Sequence, residues 1–227
     1  MYEYKTRVRY TDSAFNGEMS LSAVIDCFQN VFHFECDDTG VGTQDLIMKG
    51  LGWFIYFWQV DISRYPKCGE EIIVGTFAYE DRGSSEERNF YIKTVRDDII
   101  VRANSVWSLV DLAKLQIMRI PNEVMDRNRK MNEDKLDMEY LGRRIRYSGE
   151  CNIRKVGEHI VSRLELDSNR HLNNSEYIKI ALATIANFNP SSVTRLCIEY
   201  RKQAVEGDLL HIFLAREDEM IIDIRSD

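Results

Sequence analysis

Leu21, Val24, Ile25, Phe28, Val31 and Phe32 recur at helical spacing and make one continuous apolar stripe. Ser20 can cap this helix and Gly40 can stop it. Almost everything around it reads as strand. Residues 4–11 carry β-formers before it, and residues 53–63 follow it as a dense aromatic and β-branched run. Further strand-like runs lie near 70–80, 87–96, 99–110 and 114–120. Pro66, Gly69, Arg82-Gly83-Ser84-Ser85, Asp97-Asp98 and Pro121 punctuate them. A lone helix with a wide apolar face needs a partner to bury it. Antiparallel strands supply one if they curve around the helix, so the pattern predicts an α+β unit.

The second half repeats this order. A strand at 158–166 leads through a turn to a helix over 174–187, with the stripe Tyr177, Ile178, Ala181, Leu182 and Ile185. Asn187-Phe188-Asn189-Pro190 ends it, and strands are expected at 193–203, 207–216 and 219–225. The repeated order predicts two copies of one fold, the second shorter by about a strand. The expected organisation is a first unit over 1–121, a linker over 122–150 and a second unit over 151–227. The linker is polar and charged, with a helix expected around 132–141. Setting Asp12-Ser13 on Asp167-Ser168 places Ala14 and Asn16 where the second copy has Asn169 and His171. On that register only the second copy carries an amide and an imidazole together.

That second turn is the candidate site. Asp167, Asn169 and His171 are spaced by two, and alternate residues of an extended backbone share a face. Asn173, Asn174 or Ser175 can cap the following helix. Polar groups then gather at a helix N-terminus, where partial positive charge favours an anion. This suits acyl transfer, in which negative charge develops on a carbonyl oxygen. On spacing alone, ordinary capping residues and one surface histidine among four are the favoured reading.

Composition narrows the classes. A net charge of −7 argues against nonspecific nucleic-acid binding. No 18-residue apolar run is present, so no transmembrane helix is expected, and Met1-Tyr2-Glu3-Tyr4-Lys5 lacks the apolar core of a signal peptide. The cytoplasm is the expected compartment. Five cysteines at 27, 36, 68, 151 and 197 show no zinc-ligand spacing, and free, mostly buried thiols are expected. No metal or other cofactor is expected.

The motif D-x-N-x-H-x-N-N-x-x-Y-I over Asp167–Ile178 resembles the second-half motif of plant and bacterial acyl-ACP thioesterases. The similarity continues at Ile198-Glu199-Tyr200-Arg201-Lys202. In the first half it takes in the helix, Ile62-Ser63-Arg64-Tyr65-Pro66, Gly69-Glu70, Arg88-Asn89-Phe90, Ser105-Val106-Trp107 and residues 119–124. The resemblance implies a tandem (double) hotdog fold that acts like an internal dimer. It implies hydrolysis of the thioester between a fatty acyl chain and acyl carrier protein, in fatty acid biosynthesis. It associates the first unit with acyl-chain selection and the second with catalysis. The family's catalytic Asp, Asn and His fall on Asp167, Asn169 and His171. Where the family has Glu-Cys after the E-Y-R-[RK] strand, this chain has Gln203 and Ala204. Glu199 is four residues earlier, roughly 13 Å along an extended strand, and is a poor replacement. Asp167 or His171 is then left to activate water, with Gln203 orienting it, or Asp167 attacks directly.

Two further stretches are ambiguous. Trp53, Phe54, Tyr56, Phe57 and Trp58 can line an acyl tunnel or be simple core. Residues 127–155 hold Arg127, Arg129, Lys130, Lys135, Arg143, Arg144, Arg146, Arg154 and Lys155 against Glu133, Asp134, Asp137, Glu139 and Glu150. Such a basic stretch can dock an acidic carrier protein or be a solvated linker. The rival functions are an acyl-CoA thioesterase and a non-catalytic acyl-ACP-binding protein, the latter favoured by Gln203. Chain-length preference and the choice between monomer and homodimer are not written in the sequence.

Overall fold

The computed structural model describes all residues except 41, 123, 127–133, 147–151, 217–219 and 227. The chain forms two compact units. One comprises Met1–Arg143 with Ser191–Tyr200, the other Arg144–Pro190 with Arg201–Asp227.

The first unit holds β1 (Tyr2–Arg7), α1 (Leu21–Asp38), α2 (Thr43–Met48), β2 (Leu51–Ile62), β3 (Glu71–Asp81), β4 (Glu86–Thr94), β5 (Ile99–Asp111) and β6 (Gln116–Met118). Its antiparallel sheet runs β1-β3-β4-β5-β2, with β6 on β5. The expected helix forms where the stripe placed it. Ser20 Oγ accepts from the Ala23 N–H at 3.2 Å, and the chain leaves the helix through Gly40 at φ 78°. All six stripe residues are buried. Phe28 stacks on Trp58 at 5.8 Å, Phe32 on Trp107 at 4.1 Å, and Trp58 meets Phe90 edge-on at 4.9 Å. Burying each such side chain contributes about 1.5–3 kcal/mol. Of the aromatic run, Phe57 and Trp58 are core, and Trp53 packs on the small cluster Ile120, Val124 and Met125.

This core also encloses charge. Arg88 is fully buried and pairs with Glu35 of α1 and, at 2.6 Å, with Glu86. Its guanidinium lies 5.1 Å from the Phe32 ring centroid.

The helix expected around 132–141 does not form over residues 134–141; residues 132 and 133 lie outside the described residues. The segment is instead a strap whose backbone bonds sideways to buried amides of the sheet. Leu136 N–H donates to Asn89 Oδ1 at 3.1 Å, and Leu141 N–H to Gln59 Oε1 at 2.9 Å. Gln59 Nε2 returns a bond to the Glu139 carbonyl at 2.7 Å. These groups find partners in the sheet rather than four residues back, so helix has nothing to offer them.

The second unit holds β7 (Ile153–Ile160), α3 (Asn174–Ala183), β9 (Leu209–Arg216) and β10 (Met220–Ser226), with sheet order β10-β9-β7. Its core is Val161, Leu172, Ile180, Ala204, Leu210 and Ile212. Helix α3 ends at Ala183 rather than 187, its last turn closed by Thr184 Oγ1 on the Ala181 carbonyl at 2.7 Å. The strand expected at 193–203 is shorter, β8 (Arg195–Glu199), and pairs antiparallel with β2 in the first unit. Asp61 holds Arg195 there at 2.6 Å.

Candidate active site

The candidate residues sit on a tight loop between β7 and α3. Ser162 and Glu165 open it as a capping box around a single 3-10 turn, Arg163–Glu165. Burial pushes the Glu165 carboxyl up, but the Ser162 N–H and His159 outweigh it and hold it below its usual range. Leu166 and Leu172 then bridge, and the loop between them closes on itself. Asp167 N–H donates to the His171 carbonyl at 2.7 Å, and Arg170 N–H to the Asp167 carbonyl at 3.0 Å. Asp167 Oδ1 accepts from the N–H groups of Asn169 at 2.8 Å and His171 at 3.1 Å. Arg170 takes the left-handed φ of 63° that the reversal requires.

The three residues do not alternate along an extended strand. They are gathered by an Asx-type turn in which Asp167 binds its own loop. All three side chains are half-buried. Asn173 caps α3, its Oδ1 accepting from Ser175 N–H at 3.1 Å.

The segment carrying Gln203 runs beside this loop. Leu172 N–H donates to the Ala204 carbonyl at 2.8 Å, and Ala204 N–H donates to the Tyr177 hydroxyl at 3.1 Å. Gln203 is half-buried, one residue from that junction, and its amide makes no hydrogen bond to Asp167, Asn169 or His171. Ala204 is core, so the position where the resemblance expects Cys faces inward. Tyr177, whose hydroxyl ties α3 to residue 204, was not singled out for this role by the sequence; its only signal is its place in the motif.

The same loop recurs in the first unit, on a different register from the one the sequence suggests. Ala14 N–H donates to the Glu18 carbonyl at 2.7 Å, Gly17 N–H to the Ala14 carbonyl at 2.9 Å, and Ser13 bridges Met19. Met19 N–H donates to the Pro66 carbonyl at 2.8 Å, as Leu172 does to Ala204. Ala14, Asn16, Gly17 and Glu18 thus stand for Asp167, Asn169, Arg170 and His171, and Tyr65 stands for Gln203. The shared Asp12-Ser13 and Asp167-Ser168 are a coincidence of type: Asp12 is the capping acid of its 3-10 turn, the role of Glu165. The first copy keeps the asparagine and lacks both aspartate and histidine. Its Asn16 Nδ2 donates to Glu18 Oε2 at 3.0 Å, and Ser191 Oγ bonds to both.

Comparison with known proteins fits this two-copy arrangement. The family profile of the acyl-ACP thioesterase N-terminal domain matches residues 1–127, and that of the C-terminal domain matches 151–225. The chain belongs to the acyl-ACP thioesterase family. It is 24% identical over 212 residues to a chloroplastic acyl-[acyl-carrier-protein] hydrolase of Cuphea viscosissima, covering 87% of this chain and 50% of that protein. It is 25% identical over 178 residues to a chloroplastic palmitoyl-acyl carrier protein thioesterase of Gossypium hirsutum, covering 74% and 42%. The matched region is thus about half the length of these relatives or less. Among solved structures, an acyl-ACP thioesterase from Bacteroides thetaiotaomicron aligns with a TM-score of 0.85 at 18% identity, over 99% of this chain and 91% of that one. The 12:0-ACP thioesterase of Umbellularia californica aligns at 0.77 and 16%, over 100% and 97%. These likenesses give the fold, the double hotdog of this family. Among the described residues no helix is long and apolar enough to cross a membrane.

Proposed function

We propose that the protein hydrolyses fatty acyl-ACP to free fatty acid and carrier thiol, with Asp167, Asn169 and His171 as its catalytic residues. The carrying observation is the division of labour on Asp167. One oxygen is fixed by two backbone N–H groups, and Oδ2 has no hydrogen-bond partner among the described residues. A fixed carboxylate with one uncommitted oxygen suits a base that deprotonates water. The hydroxide adds to the thioester carbonyl carbon, and charge develops on its oxygen. Asn169 and the α3 N-terminus supply dipoles toward that charge. The C–S bond then breaks, and the leaving thiolate takes up, by way of His171, the proton that Asp167 removed from the water. Gln203 orients the water through its amide and carries no proton.

Fatty acid biosynthesis is the metabolic setting that this reaction fits. The double-unit chain favours a carrier-protein substrate over acyl-CoA. Within the basic stretch 127–155, two of the described cations already have partners in the first unit. Arg127, Arg129 and Lys130 lie outside the described residues. Arg143 pairs with the buried Glu87, and Lys135 lies 4.6 Å from the Tyr79 ring centroid.

Purified protein assayed against acyl-ACP and acyl-CoA of matched chain length tests this reading. Turnover of acyl-ACP that falls at least about a hundredfold in Asp167→Asn is expected. Tight acyl-ACP binding without turnover would instead select the non-catalytic reading that Gln203 favours, and Gln203→Glu would then be expected to restore hydrolysis.

A further inference from the structure

Arg170 is the residue of the candidate loop that the loop itself does not require. Its backbone sits at φ 63°, where an L side chain is strained, and the same place in the first unit is filled by Gly17 at φ 77°. The first copy closes its turn with glycine and the same hydrogen bonds, so closure does not explain an arginine. The side chain is exposed, and its guanidinium makes no ion pair or hydrogen bond among the described residues. It stands between Asn169 and His171 in sequence.

The surroundings differ between the copies in the same sense. The second copy carries one more cation here: Arg163 and Lys202 hold the places of Tyr10 and Arg64, and Lys202 Nζ donates to Ser226 Oγ at 3.0 Å. Arg163 reaches the exposed Glu206 at 3.2 Å. Leu164, next to Arg163 in the chain, is 95% exposed, and Ile160, at the end of β7, 66%. A cationic rim with protruding aliphatic side chains fits an acidic protein surface that also presents apolar groups. A chain of net charge −7 needs such a local rim to receive an acidic partner.

We propose that Arg170 and Leu164 form the contact by which the second unit receives its acidic carrier protein, a proposal that rests on the acyl-ACP hydrolase reading. The strain at residue 170 is then retained for recognition.

The test compares wild type with Arg170→Glu, Arg170→Gly and Leu164→Ser on one acyl group carried by ACP, by CoA and by N-acetylcysteamine. Arg170→Glu is expected to raise KM for acyl-ACP about tenfold, with kcat within about twofold and both small thioesters unaffected. Arg170→Gly and Leu164→Ser should raise it less, and Arg170→Gly should melt no lower than wild type. The wild-type KM should rise with salt, and Arg170→Glu should flatten that slope. An unchanged KM for acyl-ACP overturns the proposal. So does an equal loss on all three substrates, which marks a structural role, or an equal rise on acyl-CoA, which marks a contact to the phosphate of the shared arm. Binding of unacylated holo-ACP to wild type and Arg170→Glu, followed by fluorescence anisotropy, reads docking without turnover. If wild type cleaves no thioester but Arg170→Glu still weakens ACP binding, the hydrolase reading fails and the docking surface stands.

Discussion

Ala14 and Asp167 hold the same place in two copies of one loop. Each donates its N–H to the carbonyl four residues on at 2.7 Å, and each carbonyl accepts from a residue with positive φ three residues on. One loop closes with a methyl group and the other with a carboxylate. The fold therefore contains its own control for what the Asp167 side chain adds beyond turn formation.

Asp167→Ala should leave the loop closed, as Ala14 does in the first unit. The lost bonds to two N–H groups should cost about 1–3 kcal/mol, since both bonds go to a charged acceptor on a half-buried residue. Hydrolysis should fall by a factor of about a hundred or more. Urea unfolding and single-turnover assays on the same preparation separate the two effects. A variant that folds and still cleaves at the wild-type rate removes Asp167 from the chemistry.

Glu18 occupies the place of His171 but serves structure. It accepts from Asn16 at 3.0 Å and from Ser191, tying residue 191 to the loop of the first unit. Glu18→Ala should cost about 1.5–3 kcal/mol, at the low end because Asn16 is exposed, and leave kcat on a small thioester unchanged. Loss of turnover with the fold intact would mean that the first copy also takes part in the reaction.

What the sequence revealed divides along physical lines. Helix α1 was legible because its stripe and its cap, Ser20, are local. The strands of the first unit were legible from composition and turn residues. The strap at 134–143 was not, because its backbone partners Gln59 and Asn89 are far away in the chain. The position of β8 was hidden for the same reason: its partner is β2. The candidate residues were legible as a motif, but their geometry was not. Alternation suggested a strand, whereas Asp167 folds back on its own loop. The repeat register was misread because an aspartate can cap a 3-10 turn, as Asp12 does, or nucleate an Asx turn, as Asp167 does.

Cys27 gives a pH signature. Burial pushes its thiol up to about 11, against a hydrogen bond with Tyr4 that works the other way. An unfolded thiol titrates near 8.5–9. Between those values the unfolded chain has lost a proton that the folded chain keeps, so stability falls as pH rises from about 9 to about 11. It is fully present below that window. The difference in urea midpoint between wild type and Cys27→Ala, followed from pH 8 to 11, should change in this direction. Alkylation at pH 8 should label exposed Cys68 far faster than Cys27, as peptide mass mapping would report.

Arg88, Glu35 and Glu86 are all buried, and the two carboxylates share one guanidinium. Burial works against the charge of Arg88, and the two carboxylates outweigh it and keep it protonated. Arg88→Met takes the guanidinium, which lies over Phe32 and Phe90, away from both buried acids and should cost about 3–5 kcal/mol. Replacing all three together, as Glu35→Leu, Glu86→Leu and Arg88→Met, removes the charges with their desolvation cost. That triple variant should recover most of the loss or exceed wild type. Urea midpoints with unchanged m-values check both outcomes. A triple variant no more stable than Arg88→Met alone would show that the cost lies in packing rather than in uncompensated charge.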